Sequence, residues 1–252
     1  MKIFVLSRKT GILYLIMLIS LAALMLVGKN AAVTTSSQNR DLPVYCVDKK
    51  EKEVALSFDA AWGNEDTEDL IEIMNKYGVK TTFFVVGGWV DKYPESIKQL
   101  ADAGHEIMNH SNTHPHMTQL SAEEMKKEIS ECDAKIEKLT KVKPTLFRAP
   151  YGDYNNSVIQ TVRETGHQTI QWDVDSLDWK NLSPGEIKER VLSKVQPGSI
   201  ILFHNAALHT PEALPEIIEN LQSDGYKIVK VSELVMRENY KIDPSGKQIK
   251  VE

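Results

Sequence analysis

The sequence predicts an α/β fold with a mostly parallel sheet covered by helices, and three features carry that prediction. Short apolar runs alternate with segments of helical period between residues 45 and 236. Helix start and stop signals mark the joints between them. Polar clusters recur directly after the apolar runs, where the C-terminal strand ends of such a sheet open onto one face. Seven strand-helix units fit either an open doubly wound sheet or a barrel lacking one strand, and periodicity alone does not choose between them.

The elements follow in order. Residues 1–30 hold Lys2, Arg8, Lys9 and Lys29 and no acid, and Thr10–Gly28 is uncharged throughout. A helix of that length spans about 28 Å, close to a bilayer's hydrocarbon core. It reads as a cleaved signal peptide or an uncleaved anchor, and its length favours the anchor. The basic flank stays inside, so the rest of the chain is expected outside the cell. Residues 31–50 are expected to be a linker, small and polar over much of their length. Strands are predicted at Val54–Phe58, Thr81–Val86, Glu106–Met108, Thr145–Phe147, Gln168–Trp172, Ser199–Phe203 and Lys227–Val229. The clearest helix is Ser121–Thr140, whose Met125, Ile129, Cys132, Ile136 and Leu139 make one apolar stripe. Ser121 with Glu124 and Ser183 with Glu186 have capping-box spacing, and Pro184 and Pro211 suit first turns. Gly78, Gly104, Gly166 and Gly225 fall where helices should stop. Residues 51–236 form the expected domain, and 237–252 read as a polar C-terminal tail.

Composition narrows the function. The 30 Lys and Arg against 35 Asp and Glu give a net charge of −5. With the four basic residues of the first 30 positions set aside, 26 basic and 35 acidic residues remain, a net of −9. An acidic domain without a basic block is no nucleic-acid binder. Two cysteines exclude a disulfide scaffold and a four-cysteine zinc site. Cys132 lies on the apolar stripe as a packing residue, and a Cys46–Cys132 disulfide stays open.

The polar clusters carry the chemistry. Asp59 ends an apolar strand, where a carboxylate must cap, reach the rim or find a partner. His110 and His114 are four apart, so on a helical turn both imidazoles face one way and could share a metal, or lie solvated on a surface. Arg148 is either a surface arginine or the partner of Asp59 across the mouth. His204 follows an apolar run, as a core histidine or a functional one. Trp62 and Trp179 fall in the rim loops, where aromatic faces suit sugar stacking.

Five segments stand out in chain order: Ser57-Phe58-Asp59-Ala60-Ala61, His110-Ser111-Asn112-Thr113-His114, Arg148-Ala149-Pro150-Tyr151, Asp175-Ser176-Leu177-Asp178-Trp179 and Leu202-Phe203-His204. Together they resemble a known family, the polysaccharide deacetylases of carbohydrate esterase family 4, or NodB homology domain, over residues 52–235. The run Phe58-Asp59-Ala60-Ala61-Trp62-Gly63 is most similar to the branch of spore-forming Gram-positive bacteria that includes sporulation deacetylases. The resemblance implies a distorted (β/α)7 barrel and a metal-dependent hydrolase that removes N-acetyl groups from peptidoglycan or a related extracellular polysaccharide. It implies a divalent metal, usually zinc, on His110 and His114. Asp59 would be the general base and His204 the proton donor. Asp178 would tune His204, and Arg148 would hold Asp59. Pro150, Tyr151, Trp62 and Trp179 would meet the substrate, with the Tyr151 N–H at the oxyanion.

One position departs from the family. Ala60 stands where the third metal ligand, an Asp, is usual, and a methyl group cannot coordinate. Asp59 itself, or Asn64, Glu65 or Asp66 from the altered loop, could fill the place, or the substrate could. Two other functions compete: a catalytically impaired barrel that binds cell-wall glycan, and a glycoside hydrolase using Asp59 and Asp178.

Overall fold

The computed structural model describes residues 40–251, together with Met17. The chain divides into Met1–Asn39 and Arg40–Glu252. The fold is that of the second unit. The expected membrane segment over residues 1–30, and the linker up to Asn39, lie outside the described residues. Among the described residues no helix is long and apolar enough to cross a membrane.

The sheet is parallel and curled. Its strands are β2 (Glu53–Ala60), β3 (Thr82–Val85), β4 (Glu106–Asn109), β5 (Leu146–Phe147), β6 (Gln168–Thr169), β7 (Val174–Asp175) and β8 (Ile200–His204), in the spatial order β6-β5-β4-β3-β2-β8-β7. A further strand, β9 (Lys227–Ile228), pairs with the start of β2. Every pairing in this sheet is parallel. All seven predicted strands form, some shorter than predicted. The strand β7 was not anticipated, because only two of its residues pair and polar neighbours flank them. The helices are α1 (Thr67–Lys76), α2 (Gly87–Lys92), α3 (Pro94–Asp102), α4 (Ala122–Thr140), α5 (Asn156–Glu164), α6 (Pro184–Leu192), α7 (Thr210–Ser223) and α8 (Val231–Leu234).

Central strand β2 is buried from Val54 to Ala60, as expected of a parallel strand covered on both faces. Its outward residues Leu56, Phe58 and Ala60 join α1, α3, α6 and α7 in the main core. Its other face carries Ser57 and Asp59. Both capping boxes form, at Ser121 with Glu124 and Ser183 with Glu186. Helix α7 differs from expectation. His209, not Thr210, precedes its first turn, and the Thr210 hydroxyl donates to Asp178 instead, at 2.7 Å. The four glycines predicted to stop helices follow α1, α3, α5 and α7 in left-handed backbone.

Both outer segments of the domain correct the expectation. Residues 44–47 are not a linker: Val44, Cys46 and Val47 are buried, and Cys46–Val47 forms β1. Residues 237–252 are not a loose tail. They supply β10 (Tyr240–Ile242) and β11 (Lys247–Lys250), and β11 pairs parallel to β1 and antiparallel to β10. Buried Gln248 fixes the packing: its Oε1 accepts from Met236 N at 2.7 Å and its Nε2 donates to Met236 O at 2.8 Å. Gly198 lets β1 approach, because a Cβ there would sit 1.8 Å from Val47 O. Cys46 and Cys132 are both free and buried, so no disulfide joins them.

Candidate active site

Asp59 lies near the C-terminal end of β2, on the same face as Ser57 two residues earlier. Arg148 follows β5 and is completely buried, beneath the site and not across its mouth. Its Nη1 donates to Asp59 Oδ1 at 2.7 Å, and its Nη2 donates to Ser57 Oγ at 2.8 Å and to Gln171 O at 3.2 Å. The guanidinium also stacks over Phe84, 4.1 Å from the ring centroid. Burial pushes the Asp59 carboxyl up, but Arg148, then His110 and His204, outweigh it and hold it below the ordinary carboxylate range.

The two histidines do meet, though not on a helical turn. They occupy a loop after β4 in which Ser111 and His114 both take left-handed backbone, at φ 69° and 62°. The His110 and His114 ring centroids lie 5.0 Å apart. His110 Nδ1 faces the Arg148 carbonyl at 2.8 Å and therefore donates to it. Its Nε2 then presents a lone pair, 3.5 Å from Asp59 Oδ2. Burial lowers both rings below the usual imidazole range, and His114 is pushed down to about 4, with the neighbouring His110 adding to the effect. The loop's carbonyls at Ser111 and Asn112 accept from Gly87 N and Gly88 N, both at 2.9 Å.

On the far side, His204 ends β8. Its Nδ1 donates to Asp178 Oδ1 at 2.8 Å, and its backbone N–H donates to Asp178 Oδ2 at 2.8 Å. Asp178 also accepts from Trp179 N at 2.9 Å. Burial pulls the His204 ring down, but its hydrogen bond to Asp178 and that carboxylate's charge prevail and raise it above the ordinary value.

These groups face one cavity of about 440 Å³. It is lined by Asp59, Trp62, His110, His114, Tyr151, Gly152, Trp172, Asp175, Trp179, Leu202 and His204. Trp62, Tyr151 and Trp179 are 60%, 60% and 56% exposed and form an aromatic rim. Arg148 and Asp178 stand behind the lining as partners of Asp59 and His204. Pro150 is buried and does not line the cavity. Asp178 is fully buried with both oxygens engaged, so it cannot face a sugar as the second carboxylate of a glycoside hydrolase. Sequence reasoning missed Ser57 and Thr210 as partners of Arg148 and Asp178. The two-residue spacing of Ser57 and Asp59 on a strand was the available signal.

Among the described residues the expected divalent metal finds two imidazole donors and no third. Ala60 is buried in the main core. Asn64 donates to Ser96 Oγ at 3.1 Å, Asp66 accepts from Ala206 N at 2.8 Å, and the Glu65 carboxylate lies against Gly63. Asp59 is already paired with Arg148. Among the described residues no group of three His, Cys, Asp or Glu side chains is placed to hold a metal ion. Catalytic zinc takes three protein ligands, so this donor set does not fit it.

Comparison with known proteins gives a consistent family. The profile of the polysaccharide deacetylase family matches residues 47–170. Uncharacterized protein YlxY of Bacillus subtilis (strain 168) is 36% identical over 193 residues, covering 77% of this chain and 60% of that protein. Peptidoglycan-N-acetylmuramic acid deacetylase PdaA of the same organism is 31% identical over 202 residues, covering 79% of this chain and 77% of that protein. Among solved structures, a wild-type CE4 family pseudoenzyme from Bacillus anthracis superposes with a TM-score of 0.74 at 37% identity, over 76% of this chain and 68% of that one. A mutant of that pseudoenzyme, described as having restored enzymatic activity, superposes with the same TM-score.

Proposed function

Since this chain belongs to the polysaccharide deacetylase family, a family of hydrolases, we propose that its cavity takes an N-acetylated amino sugar of peptidoglycan and hydrolyses the amide. One observation carries the reading: two pairs with opposite bias face the same cavity. Asp59 is held anionic by Arg148, and His204 is held towards its protonated form by Asp178. Separating two titratable groups in this way supplies a base and an acid at one pH. Asp59 accepts a proton from water as the water oxygen attacks the acetyl carbonyl carbon. His204 gives its proton to the sugar nitrogen as the carbon–nitrogen bond breaks, leaving acetate and a free amine. Trp62, Tyr151 and Trp179 offer apolar faces to the sugar rings at the rim.

A second reading rests on Ala60, which leaves two donors where catalytic zinc takes three, and on the likeness to a pseudoenzyme. In that reading the barrel binds cell-wall glycan without turning it over. Acetate release from isolated peptidoglycan, measured across a zinc titration for the wild type and for Ala60→Asp, separates the two. Hydrolysis predicts acetate from the wild type, and from the variant an output that rises with zinc. Ala60 packs in the core, so the variant's carboxylate must turn towards the imidazoles, and its thermal stability should rise with zinc more than the wild type's does. No acetate from either form, with both sedimenting on peptidoglycan, supports the binding reading.

Residues 1–30 would anchor the domain on the outer face of the cell membrane. The support is the uncharged run behind a basic flank. An N-terminus found near Ala31 in protein from cells would overturn the anchor.

A further inference from the structure

The histidine loop is held from behind by side chains that the proposed hydrolysis does not use. Asn109, at the end of β4, is completely buried. Its Oδ1 accepts from Ser111 N at 2.8 Å, and its two Nδ2 protons go to Ile129 O at 2.8 Å and Asp133 Oδ1 at 2.7 Å. The same Asp133 oxygen lies 3.2 Å from His167 Nε2. His167 Nδ1 lies 3.1 Å from the Thr165 hydroxyl, whose proton is already given to Val162 O at 2.7 Å. Both ring nitrogens of His167 therefore lie within hydrogen-bond reach of an oxygen, one on Thr165 and one on Asp133. The bonds run without a break from the turn after α5, through α4 and β4, to the backbone of Ser111.

That end point matters. Ser111 and His114 are two non-glycine residues in left-handed backbone within four positions, a shape that persists only where neighbours over-determine it. Ser111 Oγ in turn accepts from His114 N at 3.0 Å. Asp133 itself sits beside the apolar stripe of α4 and is 8% exposed. For packing alone an apolar side chain would serve better there, because a buried carboxylate needs partners to be tolerated.

We propose that Asp133, acting through Asn109, is a positioning residue that holds the His110–His114 loop in its left-handed shape, with His167 fixing the Asp133 carboxylate. The inference deepens the amide-hydrolysis reading, since the loop it shapes carries both imidazoles of the cavity.

The test compares Asp133→Leu, which removes the acceptor, with Asp133→Asn, which retains an acceptor oxygen, in the full chain labelled with nitrogen-15. Amide hydrogen exchange at Ser111 and the ring nitrogen shifts of His110 and His114 report the loop without any turnover. In the Leu variant, exchange at Ser111 should quicken by about fivefold or more and the His110 ring should lose its single tautomer, while amides of β8 keep their protection. The Asn variant should retain most of the wild-type behaviour. Where acetate is released, kcat should fall in the Leu variant with KM little changed. An unmoved Ser111 amide, a loss shared equally by β8, or an Asn variant as impaired as the Leu variant overturns the proposal. If the Leu variant does not fold, Asp133→Ala is read in the same way. Absence of acetate from the wild type would sink the hydrolysis reading and leave the exchange and ring measurements to decide this one.

Discussion

Arg148 is a cation cut off from water, and its environment defines what Asp59 can be. The pair at 2.7 Å is buried on both sides, so removing one member strands the other. Asp59 lies below its unfolded value, so its stabilising contribution is present above about pH 4 and is lost as pH falls through the folded value. Arg148→Met should weaken or reverse this, because burial is then opposed only by His110 and His204. We expect a loss of about 3–5 kcal/mol at pH 7, smaller at pH 5, in urea denaturation at the two pH values. His204 has the opposite sign. Its value is raised, so its contribution is full below about pH 6.5 and fades as pH rises through the folded value. Asp178→Asn removes the largest raising influence, and a ring titration of His204 by NMR should move down. An unmoved titration would mean that Asp178 does not tune this ring.

At the scale of elements, α4 unites two kinds of information. Its start is local: Ser121 accepts from Glu124 N and the Glu124 carboxylate returns the bond, within four residues of chain. Its stripe is periodic, with Met125, Ile129, Cys132 and Ile136 buried. Ser121→Ala should cost about 1 kcal/mol, and Ile136→Ala about 2–5 kcal/mol, in chemical denaturation. A reversed order would mean that the cap, not the stripe, secures the helix. Both features were legible in the sequence because each repeats within a turn or two. Asp133 was not, because its meaning depends on Asn109 and His167, 24 and 34 residues away. The loop at His110 failed for the same reason. Its spacing suggested a helical turn, whereas Asn109, Gly87 and Gly88 draw it into left-handed backbone. The residues ending β2 and β8 were readable, since an acid or imidazole closing an apolar run stands out against its neighbours. The partners behind them, Ser57 and Thr210, are ordinary residues that only the fold makes special.

The whole domain is closed by its own ends. The polar texture of residues 237–252 hid β10 and β11, because a small edge sheet needs few apolar side chains when Gln248 supplies hydrogen bonds instead. Deleting residues 238–252 should therefore destabilise the domain by about 2–4 kcal/mol, from the lost Gln248 bonds and the uncovering of Val44 and Val47. A thermal melt of the shortened chain checks this, and an unchanged midpoint would restore the tail to irrelevance.

The parallel pairing of β1 with β11 has a mechanical side. The chain reaches β1 just after Val44 has bridged to Ile170, and the start of β1 and the end of β11 lie at opposite ends of the paired strands. A pull between those strand ends slides one strand along the other, so the bonds from Tyr45 N to Gly246 O and from Asp48 N to Gln248 O load together and do not open singly like a zipper. Tension drawn through β1 is thus shared between this clasp, the Val44 bridge to Ile170 and the bond from Val47 N to Gly198 O, and Asp59 and His204, at the far ends of β2 and β8, make none of these bonds.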